Sequence, residues 1–265
     1  MHRIGTHFAA YRLYMLIGVM PQAVNAYLQT NNLQQVDNIK REILALYDDD
    51  FRKIDSQGRA SRLFRSIPWQ LTSNARRYQL KTALEGRSPD NVDTIIADME
   101  DSMVVNISYH SSDPNVGMGL TRNPSNYKMY LLDTGLFVTL SFWDKAYTEN
   151  IIYSKLLSDK LEANLGYIYE NLVAQMLCAA GNELYYYTFP TDSNKHNYEV
   201  DFLLSRGSKL VPIEVKSSGY KSHKSIDIFC EKFSSRVGER YLFYTKDYAR
   251  DGITVCLPVY MAGLV

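Results

Sequence analysis

Two short runs hold the residues best suited to chemistry. Glu199-Val200-Asp201-Phe202 and Ile213-Glu214-Val215-Lys216 place three carboxylates and an ammonium in otherwise apolar segments. Between them lies Arg206-Gly207-Ser208-Lys209. A Gly at the first central position fits a two-residue hairpin turn. That turn sets Arg206 against Lys209. Counting back from it sets Asp201 against Glu214 and Glu199 against Lys216. Side chains alternate along a strand. Glu199, Asp201, Glu214 and Lys216 are therefore expected on one face, continued toward the turn by Leu203 and Pro212. Val200, Phe202, Leu204, Val211, Ile213 and Val215 form the other, wholly apolar face.

Two carboxylates directly opposite one another have Cβ atoms roughly 5 Å apart and repel. Lys216 offsets part of that repulsion. A divalent cation would offset more, because hard ions such as Mg²⁺ or Mn²⁺ take carboxylate oxygens and water. The plainer account of the same residues is a solvated hairpin face carrying salt bridges.

An Asp, a hairpin, then Glu214-Val215-Lys216 resembles the PD-(D/E)xK nuclease fold. The resemblance implies that Asp201 and Glu214 bind Mg²⁺ or Mn²⁺ and that Lys216 positions or activates the attacking water. A glutamate from the preceding helix often completes such sites, and Glu170 matches that role as a further metal ligand. Gly166 and Ala174, four residues to either side, are small enough to let its helix approach a sheet. Val200 stands where the named motif has proline. Lys221 and Lys224, just beyond the second strand, are placed to touch a phosphate backbone. The plainer account is two exposed lysines after a Ser-Ser-Gly turn.

The elements that position these residues follow from periodicity and punctuation. Residues 1–55 read as a helical, lid-like segment. Tyr11, Tyr14, Met15 and Gly18 fall at helical spacing, Pro21 opens a second helix, and Val36, Ile39, Ile43, Leu44, Leu46 and Tyr47 form the stripe of a third. Residues 56–132 read as three helices (Ser61–Ser66, Asn74–Leu84 and one begun by Ser88-Pro89-Asp90) followed by strands Met103–Tyr109 and Tyr127–Leu132. That is the winged-helix pattern. From Phe51 to Arg87 there are nine Lys/Arg and two acids, and from Ser88 to Asp101 five acids and no base. An acidic third helix is repelled by phosphate, which favours a protein-protein spacer over a DNA reader for this unit. Residues 133–265 read as α/β. Asp133-Thr134-Gly135 starts a helix, and another runs from Leu161 to Ala180, closed by Gly181. Strands follow at Leu184–Phe189, Tyr198–Leu204 and Lys209–Lys216. A helix at Ile226–Phe233 and strands at Tyr241–Thr245 and Ile253–Pro258 complete the chain. The expected architecture is a helical and winged-helix region followed by a mixed sheet flanked by helices, like that of restriction endonucleases.

The bulk composition sets limits. The 265 residues are 46% hydrophobic and 22% charged, with zero formal net charge, so no global field steers a polyanion. Three widely spaced cysteines, with no CxxC, fit a reducing cytoplasm and suit small buried hydrophobes. The apolar stretch Tyr11–Val24 is broken by Arg12, Gly18 and Pro21 and falls short of the about 20 residues that span a bilayer. No secretory signal is evident, and no membrane association is expected. No GxxxxGK[ST] occurs, so the chain has no P-loop and no ATP-binding residues of its own.

A longer resemblance runs through most of the chain. Gly18–Val24, Ile43 to Phe51, Ser66-Ile67-Pro68, Lys128–Leu136, Tyr169-Glu170-Asn171 and the two runs around Asp201 and Glu214 are similar to one family. It is that of prokaryotic AAA-type ATPases ending in a conserved domain of unknown function. The resemblance implies an N-terminal ATPase part that this sequence does not hold, so that the chain is a piece of a longer protein or the product of a shortened gene. It also implies an ATPase-coupled role, without ATP turnover by this chain alone. Two functions follow as expectations. One is metal-dependent hydrolysis of phosphodiesters in DNA or RNA. The other is a catalytically quiet nuclease-fold module that binds protein or nucleic acid for an ATPase partner.

Overall fold

A computed structural model describes residues 4–72, 77–144, 151–158, 166–191, 196–217, 219 and 221–265. The chain divides into two compact units. The first comprises Met1–Ala75, Gln79–Asn106 and Tyr130–Leu172; the second comprises Arg76–Tyr78, Ile107–Met129 and Val173–Val265. This interleaved division differs from the expected cuts after residues 55 and 132.

The first unit is helical. Its helices are α1 (Ile4–Ile17), α2 (Pro21–Thr30), α3 (Leu33–Ile54), α4 (Arg59–Thr72), α5 (Leu80–Leu84), α6 (Val92–Asp101), α7 (Thr134–Ser141) and α8 (Ile151–Leu157). Local chemistry sets their ends. Pro21 opens α2, where a missing N–H costs nothing. The Asn32 side chain accepts from Gln34 N and Gln35 N to cap α3. Asp55 accepts from Ala60 N at 3.0 Å at the start of α4 and is ion-paired with Arg59. Burial works against the Asp55 charge, yet these bonds hold its pKa below the ordinary value.

Asp133 does more than cap α7. Its carboxylate accepts from Leu136 N at 2.7 Å and reaches back to Val19 N at 2.5 Å and Met20 N at 3.2 Å. The α1–α2 turn is thus tied to the start of α7. The contact is tight enough to require glycine on both sides. Gly18 turns at φ +82°, and a Cβ on it would strike the Asp133 carboxylate. A Cβ on Gly135 would lie 2.5 Å from Gly18 N. Nearby, Lys40 is fully buried and donates to Leu16 O at 2.6 Å, Gly135 O at 3.1 Å and Tyr153 Oη at 3.1 Å. Asp37, also buried, accepts from Arg41 at 2.8 Å, from Thr139 at 3.0 Å and from the Tyr153 hydroxyl. Burial pulls the Lys40 pKa down to about 8, against the opposing pull of Asp37 and Asp133.

The second unit is built on a sheet of eight strands. These are β1 (Val105–Ser111), β2 (Arg122–Leu131), β3 (Leu184–Pro190), β4 (Asn197–Arg206), β5 (Lys209–Val215), β6 (Tyr241–Tyr244), β7 (Ala249–Asp251) and β8 (Thr254–Pro258). Their order is β2-β1-β3-β4-β5-β6-β8-β7. Two helices belong with it: α9 (Gly166–Ala179), whose first half lies in the first unit, and α10 (Lys224–Lys232). Gly181 adopts φ +84° just past α9, as expected of its closing residue. Ile226, Phe229 and Cys230 of α10 pack with Tyr185, Phe189, Val200, Leu203 and Leu210 in one apolar cluster.

The sheet corrects the expected wing. β1 and β2 are no separate ribbon, because β1 pairs in parallel with β3, with Ser108 against Leu184. The edge of β1 left free by a hairpin is filled by a strand far along the chain, a pairing that local patterning cannot register. The three expected helices of that unit are α4, α5 and α6, with α5 shorter than Asn74–Leu84; residues 73–76 of that range lie outside the described residues. Residues 161–165 of the expected Leu161–Ala180 helix also lie outside them. Cys230 and Cys256 are buried, and Cys178 is half-buried. Among the described residues no helix is long and apolar enough to cross a membrane.

Two outcomes test the first unit. Gly135→Ala should destabilise it by about 3 kcal/mol, because the clash falls on backbone that cannot move aside. A urea melt measures this. Lys40 releases its proton near pH 8 when folded and near 10.5 when unfolded. Between those values the unfolded chain holds more protons, so this residue's contribution to stability rises with pH. The urea midpoint of wild type should therefore gain on that of Lys40→Met between about pH 8 and about pH 9.5.

Candidate active site on the β4–β5 hairpin

The hairpin forms in the expected register. Arg206 faces Lys209, and the antiparallel pairing runs back to Phe202 against Ile213. Gly207 turns at φ +57°, as the turn requires. Beyond Phe202 the expected pattern breaks. On the other edge of β4, Leu203 pairs with Tyr185 but Val200 pairs with Tyr187, so β4 carries one extra residue. This β-bulge resets the alternation. Val200 and Leu203, which strict alternation puts on opposite faces, pack in the same cluster against α10.

The bulge decides what the charged residues do. The Asp201 carboxylate accepts from Val215 N at 2.8 Å, where β5 runs past the end of the regular ladder. Glu214 is 4% exposed, and one of its oxygens is ion-paired with Lys216. Its other oxygen, Oε2, is buried with no hydrogen-bond partner among the described residues. Burial alone would lower the Lys216 pKa, but Glu214 in direct contact and Asp201 nearby raise it above the ordinary value. Lys216 N donates to Phe243 O at 2.8 Å, and Glu214 lies against Leu242 in the parallel pairing with β6. Backbone on both sides thus fixes this end of β5.

The structure gathers Asp201, Glu214 and Lys216. It does not give Glu199 to Lys216. Glu199 is ion-paired with Lys128 of β2, whose ammonium lies 5.5 Å from the centre of the Tyr186 ring. The expected face of four charges is corrected accordingly, and the cause is the extra residue in β4. Glu170 lies in the first unit, where it accepts from the Tyr130 hydroxyl at 2.6 Å. Among the described residues no group of three His, Cys, Asp or Glu side chains is gathered as metal ligands. Lys221 and Lys224 are exposed, and the Lys224 ammonium lies 5.6 Å from the centre of the Tyr198 ring. Motif reading does not show the partner of Lys128, although a lone lysine in the run Tyr127–Leu132 signals a buried one.

Comparison with known families covers most of the chain. A domain of unknown function, DUF8612, matches residues 9–147, just over half of the sequence. The chain belongs to the DUF8612 family. A second domain of unknown function, DUF4143, matches residues 165–261 and is one that occurs C-terminal to AAA ATPase domains. The DUF8612 match runs through α7, past the expected boundary at residue 132. Neither a curated protein nor a solved structure matches the chain.

Asp201 has a structural duty that can be measured apart from any chemistry. Asp201→Ala leaves Val215 N without its acceptor and should cost about 1–3 kcal/mol, whereas Asp201→Asn keeps an acceptor oxygen and should cost much less. Thermal melts of the two variants in EDTA make the comparison.

Proposed function

We propose that residues 166–258 form a metal-dependent phosphodiesterase centre of the PD-(D/E)xK kind, acting on DNA or RNA with Mg²⁺ or Mn²⁺. The observation that carries the reading is Glu214 Oε2, a buried carboxylate oxygen without a partner beside Asp201 and Lys216. Such an atom is costly unless something fills its coordination. The order of elements supports the same reading. Helix α9, the antiparallel strands β3, β4 and β5, helix α10 and a parallel β6 follow one another. A helix ahead of the hairpin and a mixed sheet with helices are what the resemblance of the hairpin motif implies.

The donor set fits a hard cation. Mg²⁺ commonly takes one or two carboxylates, with waters and substrate phosphate completing its shell. Asp201 and Glu214 would supply the two, and the proposal needs no third. When bound, the cation supplies Lewis acidity and an acidified water. The chain's own residues do the rest. Lys216, in contact with Glu214, would hold a phosphoryl oxygen or position the attacking water. Asp201, tied to Val215 N, keeps one carboxylate orientation. Lys221 and Lys224 add exposed charge for the strand's phosphates.

A second reading has its own support. The ion pair between Lys216 and Glu214 already neutralises the carboxylate without a metal, as suits a quiet module that docks protein or nucleic acid for an ATPase partner. Melting curves with and without Mn²⁺ separate the two. At about 100 times its dissociation constant, Mn²⁺ should stabilise wild type by about 2.7 kcal/mol. The shift should shrink in Asp201→Asn. Lys216→Ala should keep the shift and lose cleavage of a single-stranded or duplex substrate. Equal shifts in wild type and Asp201→Asn, including none in either, would sink the metal centre and leave the docking module.

A further inference from the structure

A second feature lies within the first unit and is independent of the metal proposal. Helices α3, α4 and α5, with the turn at residues 56–58, enclose a cleft of about 600 Å³. That volume is typical of ligand sites. Its lining holds Arg52, Arg62, Arg65 and Arg87 against only two carboxylates, Asp48 and Glu85, and contains no lysine. This is the basic stretch noted in the sequence, folded so that α3, α4 and the loop after α5 each contribute arginine.

The arginines differ in their freedom. Arg65 is fixed, ion-paired with Asp48 and lying 5.1 Å from the centre of the Trp143 ring. Arg62 is paired with Glu85. Arg52 has only a loose pair with Asp49 at 3.6 Å, with both side chains well exposed. Arg87 enters no ion pair among the described residues. Its Nη1 lies 3.7 Å from the place a Cβ on Gly58 would take, which puts the guanidinium beside the turn that borders the cleft. The floor also carries Ser61, whose buried hydroxyl has no hydrogen-bond partner among the described residues.

Trp69 completes the lining and is 41% exposed. A large aromatic ring partly open to water shares the cleft with Arg52 and Arg87, the two guanidinium groups that lack a close carboxylate among the described residues. It is the pairing that binds a nucleobase on the ring and its phosphate on the arginines. We propose that this cleft binds single-stranded nucleic acid, with a base stacked on Trp69 and the adjoining phosphates held by Arg52 and Arg87. A protein partner has weaker support, because an acidic peptide would use the arginines and leave the tryptophan face unused.

The test is fluorescence anisotropy of a labelled oligothymidylate of about twelve nucleotides, long enough to fill one such site. The full chain is used in EDTA at low salt, so that a metal-dependent centre is silent. Binding should weaken about 5- to 100-fold in Trp69→Ala and largely recover in Trp69→Phe, which keeps a ring. Arg87→Ala should weaken binding several-fold and reduce the slope of log affinity against log salt by about 0.7. Because Arg87 is exposed, that variant reports on binding even if Trp69→Ala folds poorly. Absence of oligonucleotide binding, or Arg87→Ala and Trp69→Ala affinities equal to wild type, would overturn the proposal. So would competition by inorganic phosphate or AMP at the concentration of the oligonucleotide, which would mean a mononucleotide or free-phosphate site. Duplex DNA of the same length binding equally well would remove the role of the stacked base.

Discussion

Lys40 holds an ammonium where no water reaches it. A charge moved into such a place is tolerated only when dipoles and opposite charges surround it. Here they come from three directions in the chain: the last turn of α1, the second residue of α7, and Tyr153 on α8. Those partners can meet one ammonium only if the helices keep a single relative placement. Asp37, one turn earlier on α3, repeats the arrangement with the opposite sign. The helices thus share one ionic interior, and the Gly18–Gly135 contact brings their backbones close enough to form it. Replacing any member leaves the others buried without a partner, which is why such networks specify one packing more sharply than apolar contacts do.

The second unit obeys the same rule with a different outcome. Glu199 and Lys128 satisfy each other across the sheet, and Lys216 meets one oxygen of Glu214. The remaining oxygen is left over. It is the one such oxygen in the Asp201–Glu214–Lys216 cluster among the described residues, and the proposed cation would give it a partner. The extra residue in β4 produces the surplus by taking Asp201 out of the regular ladder and giving it a backbone N–H to hold. Regular pairing through this stretch would have left the carboxylates as a row on one face.

Much of this was legible beforehand because it is local. The Gly207-Ser208 turn fixes the hairpin register within a few residues, and β4 and β5 follow it as far as Phe202 and Ile213. Asp133 announces the start of α7, Pro21 that of α2, and Gly181 the end of α9. What escaped is long-range. Strict counting from the turn cannot see a bulge whose cause lies in the pairing with β3. The parallel seat of β1 beside β3 made two strands look like a wing. Glu199 was assigned to Lys216 because its true partner, Lys128, lies some seventy residues earlier, beyond any motif window.

The parallel seat of β1 also bears on how the chain acquires its structure during synthesis. Ser108 must wait for Leu184 before its strand gains a second neighbour. At ribosomal speeds of about 5–20 residues per second, that is a delay of about 4–15 s. Once β2 has emerged, β1 presents an unpaired strand edge until β3 arrives, the kind of edge that recruits other nascent chains or a chaperone. The helices of the first unit all emerge before β3, so Lys40 and Asp133 can close their long-range contacts in the meantime. The vulnerable phase of biogenesis therefore falls between the emergence of β2 and that of β3.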